Sequence, residues 1–276
     1  LKRAVNFEKP SKYLFVGLWS LTALAPLLWI TSLSLEPQAE WNSFPPHFIP
    51  ASPTWLNYIN AFLNSPVPTF FINSVVVTLL SLALSLLFGT MASYVIARKD
   101  FPLKNVLFFS IISVRMIPAL LSIIPLYVIM YKLGWLNTYL ALIMAYMATG
   151  IPVVTWIMHG FFAGVPQEIE EAAIIDGCPP FHIFLKIILL LVAPGVAVSA
   201  IFVFVRIWNE YIMALTLTSS QGMRTLPVGI RIALGSRMAD YGSMAAYSMI
   251  AIIPIVFFFL AFQKKFVSGL TSGAIK

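Results

Sequence analysis

The segment Val165-Pro166-Gln167-Glu168-Ile169-Glu170-Glu171-Ala172-Ala173-Ile174-Ile175-Asp176-Gly177-Cys178-Pro179-Pro180-Phe181-His182-Ile183-Phe184-Leu185-Lys186 is a polar interruption between two long apolar runs. Pro166 suits the first turn of a helix, where a missing N–H costs nothing. Glu168, Glu170 and Glu171 then fall where carboxylates face the positive end of the helix dipole. Ile169, Ala172, Ala173 and Ile175 supply a small apolar face. Gly177 can take a positive φ and stop the helix, and Pro179 and Pro180 forbid its continuation. Residues 165–186 therefore read as a pair of short helices around a sharp turn, with three carboxylates exposed. Such a face is either a docking surface or an ordinary amphipathic connector, and the residues alone leave both open.

On either side the chain is too apolar for a soluble domain. Of 276 residues, 60% are hydrophobic and 10% charged, whereas a wetted surface calls for roughly 25% charged residues. Runs long enough to cross about 30 Å of hydrocarbon as helix fall near Tyr13–Leu35, Phe70–Ala97, Val106–Met130, Thr138–Phe162, Ile187–Leu217 and Met244–Phe262. The fifth, as one helix, would be about 46 Å long and would carry its start out of the membrane to the 165–186 segment. The first run lacks a small-residue cleavage signature and reads as a retained helix. The fold expected is all-α, a polytopic membrane protein with six transmembrane helices and a cytoplasmic coupling helix pair. Its parts are residues 1–69 (N-terminal segment, first helix and outer loop), 70–263 (membrane core) and 264–276 (C-terminal tail).

Charge sets the orientation. With both termini inside, the cytoplasmic segments hold Lys2, Arg3, Lys9, Lys12, Arg98, Lys99, Lys104, Lys186, Lys264, Lys265 and Lys276, and the outer side only Lys132, Arg224, Arg231 and Arg237. The net charge of +7 thus marks membrane anchoring, since the basic residues sit at the ends of apolar runs and form no nucleic-acid patch. The first outer loop, about Glu36–Thr69, is rich in proline (Pro37, Pro45, Pro46, Pro50, Pro53, Pro66, Pro68) and carries Trp41, Phe44, Trp55 and Tyr58. It reads as an irregular, semi-rigid cover with one short helix. The second, about Thr218–Gly242, is long, polar and glycine-punctuated, and is expected to contact a partner.

Several chemistries are excluded. Cys178 is the only cysteine, so there is neither an internal disulfide nor a thiolate metal site. His47, His159 and His182 lack metal-ligand spacing, and no Gly-x-x-x-x-Gly-Lys-Ser/Thr phosphate loop occurs. Energy from ATP would have to reach the chain through a partner. Arg115, Arg206 and Glu210 fall inside apolar runs, where charge must be paired or face water. Arg206 and Glu210, four residues apart on one helix face, are expected to form an intrahelical or inter-subunit pair near a translocation path that includes Asn209, with Arg115 a candidate second partner. The alternative is that these charges snorkel to the interface from a helix end.

The order Glu171-Ala172-Ala173, three residues, Gly177, nine residues and Ile187-Ile188-Leu189 resembles the Glu-Ala-Ala loop of binding-protein-dependent ABC importers. Asn73-Ser74, Ala97-Arg98, Gly134-Trp135-Leu136-Asn137-Thr138, Trp208-Asn209-Glu210-Tyr211 and Arg224-Thr225-Leu226-Pro227-Val228-Gly229 are similar to the carbohydrate-uptake branch, of the maltose-transporter type. That family usually has proline after the Leu of its loop, where this chain has Leu190. The departure predicts a gentler bend at the start of the fifth helix.

The resemblance implies a permease subunit in a prokaryotic inner membrane, importing a sugar or sugar-like solute. Its partners would be a second, different permease, two ATPase subunits holding ATP and Mg, and an extracytoplasmic binding protein. The chain itself would carry no cofactor. Glu168, Glu170, Glu171, Ala172, Ala173, Asp176, Gly177 and Phe181 would meet the ATPase. Gln221, Arg224, Thr225, Leu226 and Pro227 would meet the binding protein. The small-residue tail Gly269, Leu270, Thr271, Ser272 and Gly273 would run extended against the ATPase. The alternatives are an ion-driven secondary transporter, which would show interrupted inverted repeats, and an intramembrane lipid-linked sugar transferase, which would need converging acids or a metal site.

The orientation is tested by cysteines at Gln221 and Ser272, introduced singly into a Cys178→Ser background. An impermeant maleimide should label Gln221→Cys in intact cells and Ser272→Cys only after permeabilisation. Labelling of both from outside contradicts the orientation.

Overall fold

The computed structural model describes residues 8–40, 48–235 and 241–272. Lys2, Arg3, Trp41, Phe44, Pro45, Pro46, His47, Arg237, Gly273 and Lys276 lie outside the described residues. Among the described residues every regular element is helical. The chain divides into two units, Leu1–Pro68 with Ile230–Ile252, and Thr69–Gly229 with Ile253–Lys276.

In the first unit, α1 (Glu8–Ser34) exposes apolar side chains from Tyr13 to Leu28, and α2 (Leu56–Leu63) lies in the proline-rich loop beyond a 3-10 turn at Gln38–Glu40. The loop is ordered because polar side chains take up its backbone groups. Buried Asn57 donates through Nδ2 to the carbonyls of Ser34 (3.0 Å) and Glu36 (2.9 Å). Glu40 accepts from the amides of Ala51 (3.0 Å) and Ser52 (3.2 Å). The expected cover with one short helix is what the structure contains.

The second unit is built on α3 (Val67–Arg98), α6 (Tyr139–Ala163) and α10 (Ala193–Trp208). Between them run α4 (Lys104–Ser113), α5 (Ala119–Lys132), α7 (Glu168–Ile175), α8 (Pro180–His182), a π-helical turn at Ile183–Ile188 and α9 (Leu189–Leu191). After α10 come α11 (Ile212–Leu217), α12 (Leu226–Gly235) and α13 (Tyr241–Ser272).

Small residues let the three central helices approach closely. Ser81, Ser85, Gly89 and Ser93 recur every four residues down the buried side of α3. A Cβ on Gly89 would sit 2.6 Å from Val154 Cβ of α6, and one on Gly195 of α10 would strike the Phe161 ring of α6. The hydroxyls of Ser81, Ser85 and Ser93 have no hydrogen-bond partner among the described residues. Their contribution is small volume. Phe162, Met158, Val154 and Val203 fill the spaces between, and Phe204 stacks on Phe258 of α13 at 4.0 Å.

Among the described residues four helices are long and apolar enough to cross a membrane, or up to six if each of two bent pairs is one span. Those bends correct the expected third and fifth runs. The third is broken by 103° between α4, with its 3-10 extension Val114–Met116, and α5. Pro118 is the cause: it forces the preceding Ile117 out of the helical region, to φ −77 and ψ 120.

The fifth is not one helix from Ile187 to Leu217. It turns by 76° at Val192 and stops at Trp208 before α11 begins. Pro194 cannot donate to the carbonyl of Leu190, and its ring would collide with that group. The sharp bend is therefore present without a proline at position 190. The 218–242 loop contains α12, and the tail expected to be extended is helical to Ser272.

Candidate functional site

Local hydrogen bonding shapes the 165–186 segment. Gly177, at φ +79, donates its amide to the carbonyl of Ile174 (2.9 Å), and Cys178 donates to that of Ala173 (3.0 Å). These two bonds close the C-terminus of α7 by a glycine-dependent turn. Pro180 then opens α8. The expected pair of short helices around Gly177 is present, its second member continuing through the π turn.

The base of this loop is locked to the membrane helices by Glu170. Its Oε1 lies 2.6 Å from Nε of Arg98, in the last turn of α3. The two atoms face each other as charges, off the line of a hydrogen bond. Glu170 Oε2 accepts from the Tyr94 hydroxyl at 2.9 Å, and Arg98 Nη2 donates to the Val165 carbonyl at 2.9 Å. The Tyr94 ring packs on Phe162 and Phe184, with centroids 5.5 and 4.8 Å away. The Arg98 and Glu170 side chains are only 5% and 15% exposed.

The expectation of three exposed carboxylates is thereby corrected. Glu168 and Glu171 face water, as do Ala172, Asp176, Gly177 and Phe181, but Glu170 and Ala173 turn inward. The outer face of the loop is apolar at Ile174 (60% exposed), Ile175 (85%) and Phe181 (67%), and is rimmed by the remaining acids.

The charges inside the apolar runs do not pair as expected. Because α10 ends at Trp208, Glu210 leaves the helix face that carries Arg206. Its Oε1 accepts from the Met213 amide (2.8 Å), and Oε2 accepts from the Ala214 amide (3.0 Å) and the Tyr146 hydroxyl (2.8 Å). Glu210, one residue before the N-cap Tyr211, takes up first-turn amides of α11 and ties that helix to α6. Asn209 donates through Nδ2 to the carbonyl of Val205, one turn back.

Arg206 and Arg115 instead line one cavity of about 590 Å³, formed by α5, α6, α10 and the start of α11. Each arginine stands in the last turn of its helix. Both side chains are exposed.

The loop that follows α11 is held by asparagines. Asn73 Nδ2 donates to the carbonyls of Gly222 (2.8 Å) and Arg224 (2.9 Å), and the Leu226 amide donates to Ser74 Oγ (2.7 Å). Asn137, in the left-handed region at φ +59, accepts through Oδ1 from the amides of Ser219 (3.0 Å) and Ser220 (2.9 Å). Thr225 and Leu226 are buried anchors, which corrects their expected exposure to a binding protein; Gln221 is exposed, and Arg224 and Pro227 partly so. Gly269, Leu270, Thr271 and Ser272 belong to α13.

Sequence reading missed Tyr94, which with Arg98 forms a polar pair one turn apart on an apolar helix. That spacing was the available signal. The roles of Asn73 and Asn137 as loop anchors were likewise not visible without their distant partners.

Among the described residues every regular element is helical and several are apolar helices of membrane-crossing length, the organisation of a polytopic membrane protein. The family of binding-protein-dependent transport system inner membrane components matches residues 85–271, and the chain belongs to that family. The ion-driven and transferase alternatives are set aside. It is 35% identical to the sulfoquinovosyl glycerol transport system permease SmoH of Agrobacterium fabrum, over 97% of this chain and 94% of that one. It is 36% identical to the trehalose transport system permease SugB of Mycobacterium tuberculosis, over 92% and 93% respectively. The fold matches a chain of a bacterial ABC transporter involved in import of the acidic polysaccharide alginate, with a TM-score of 0.81, 21% identity and coverage of 96% and 99%.

The anchor generates a graded prediction. Glu170→Ala strands Arg98 in a nearly buried site, at a cost of about 3–5 kcal/mol, while Tyr94→Phe removes one hydrogen bond to a charge, about 1.5–3 kcal/mol. Glu171→Ala, on the exposed face, should cost under about 0.5 kcal/mol. Thermal unfolding of the detergent-solubilised complex should rank the losses in that order. Equal losses at Glu170 and Glu171 contradict the anchor.

Proposed function

We propose that this chain is one of two different permease subunits of an ABC importer for a sugar or sugar-like solute. The observation that carries the coupling role is the acid-rimmed apolar face of Ile174, Ile175 and Phe181, borne on a loop whose base is fixed to α3 by Arg98 and Glu170. No described part of this chain covers this apolar face, which suits a groove in a soluble partner. That partner is an ATPase subunit, two of which bind ATP with Mg and close on it. The sugar reading draws support from SmoH and SugB, named for sulfoquinovosyl glycerol and trehalose.

In this reading each bent helix pair makes one crossing, giving six spans with both termini in the cytoplasm. Residues 1–69 supply the first crossing and an outer cover, and residues 70–263 the transport core. Closure of the ATPase pair moves the docked α7, and the Glu170 tie passes that movement to α3. On the outer side, Gln221, Arg224 and Pro227 meet the solute-binding protein, with Thr225 and Leu226 anchoring them from below. The segment from Lys264 onward reaches toward the ATPase as an extension of α13.

The test uses the purified complex in proteoliposomes. Gly177→Val forces a β-branched residue into the left-handed region, and Glu171→Lys reverses a rim charge. Each should leave the permease inserted but release the ATPase or reduce solute uptake per ATP hydrolysed by about tenfold or more. Wild-type uptake with the ATPase still bound in both variants contradicts the coupling assignment.

A further inference from the structure

Arg115 and Arg206 line the same cavity, and among the described residues no hydrogen bond or ion pair satisfies either guanidinium. Glu210, which would be the natural counter-charge for Arg206, has both oxygens committed to the Met213 and Ala214 amides and the Tyr146 hydroxyl. The neighbourhood thus holds two fixed cations and one carboxylate turned to other work. A concave wall carrying such an excess of charge concentrates field and attracts anions.

We propose that Arg115 and Arg206 form an anion-recognition site in the translocation path, one that selects solutes bearing a carboxylate or sulfonate on a sugar-like body. The proposal rests on the reading above that the chain is a sugar permease. The rest of the lining suits such a solute. Ser122 makes no hydrogen bond within the described residues, and the Thr149 hydroxyl donates to its own helix at Tyr146, which leaves its lone pairs as acceptors. Leu121, Leu126 and Ile129 offer aliphatic walls for the C–H faces of a ring.

Forked guanidinium donors match the geometry of a carboxylate or sulfonate. The cavity volume, about 590 Å³, lies within the roughly 300–1,000 Å³ of small-molecule sites. A carboxylate from the second permease could also neutralise the arginines, but it would require neither the ligand-sized space nor the two hydroxyls.

The experiment reads the charge of the cavity directly in the complete, ATPase-bound complex. Ser122→Cys in a Cys178→Ser background is modified with 2-sulfonatoethyl and 2-(trimethylammonio)ethyl methanethiosulfonate, with and without nucleotide, and the rate ratio is normalised to that for a free thiol. The ratio should favour the sulfonate about tenfold or more. It should fall severalfold in Arg115→Gln and in Arg206→Gln, and excess glucuronate should slow modification more than glucose does. Thr149→Cys serves if Ser122→Cys fails to assemble.

A ratio equal to that of the free thiol, or unchanged in the arginine variants, shows that the arginines are already neutralised by a partner and overturns the proposal. Equal protection by glucose and glucuronate, protection by neither, or no modification of either cysteine in any nucleotide state overturns it as well. A complex that docks its ATPase and hydrolyses ATP but shows no charge preference refutes the anion site alone. The permease reading fails separately, by loss of the coupling that Gly177 and Glu171 test.

Discussion

The contact between Arg98 and Glu170 holds together two parts of the molecule that sequence alone leaves separate. One end belongs to a long membrane-type helix and the other to an eight-residue helix with almost no core of its own. A helix that short does not persist in water by itself. Ala173 is its one buried residue, so its position depends on what its polar side chains grip. The ion pair, the Tyr94 hydroxyl and the Val165 carbonyl together satisfy a charge that burial would otherwise make costly. Such a pair adds little net stability over an apolar substitute. Its value is that neither partner can move without the other, so a displacement of α7 is a displacement of α3.

Movement passed to α3 reaches the rest of the second unit through close helix contacts. Gly89 against Val154 and Gly195 against Phe161 leave no slack in which a shift could be absorbed. The bends at Pro118 and Pro194 act in the opposite sense. They interrupt helices that would otherwise fill the space, and the broken ends surround the cavity that holds Arg115 and Arg206. Backbone freed at such breaks must find other partners. Glu210 supplies them at the start of α11, and its carboxylate acts on Arg206 only through space, without a hydrogen bond or a short ion pair.

What was legible in the sequence was local. Apolar length located α1, α3, α6 and α13, because a membrane crossing is specified by composition over consecutive residues. Gly177 and the two prolines after it likewise announced the turn of the coupling loop, since φ restrictions act within a residue or two. The bends were underread. Pro118 and Pro194 were both visible, but apolar length was allowed to outweigh them, and Leu190 was given a weight that Pro194 cancels. The partner of Glu170 was illegible, because Arg98 lies far away in the chain and also fits the positive-inside pattern. The pairing of Arg206 with Glu210 failed for a related reason: a spacing of four implies one face only while the helix continues, and α10 ends between them.

The central claim is that Arg98 and Glu170 act as one unit in transmitting ATPase movement to the membrane helices. It is tested most directly by a double-mutant cycle of Arg98→Ala, Glu170→Ala and the pair together, reading solute moved per ATP hydrolysed by the full complex in proteoliposomes. Each single change should lower that ratio by about tenfold or more, and the double variant should be no worse than the poorer single one, because the second change has no interaction left to remove. Losses that multiply in the double variant, or single variants that transport with wild-type economy, would contradict the claim.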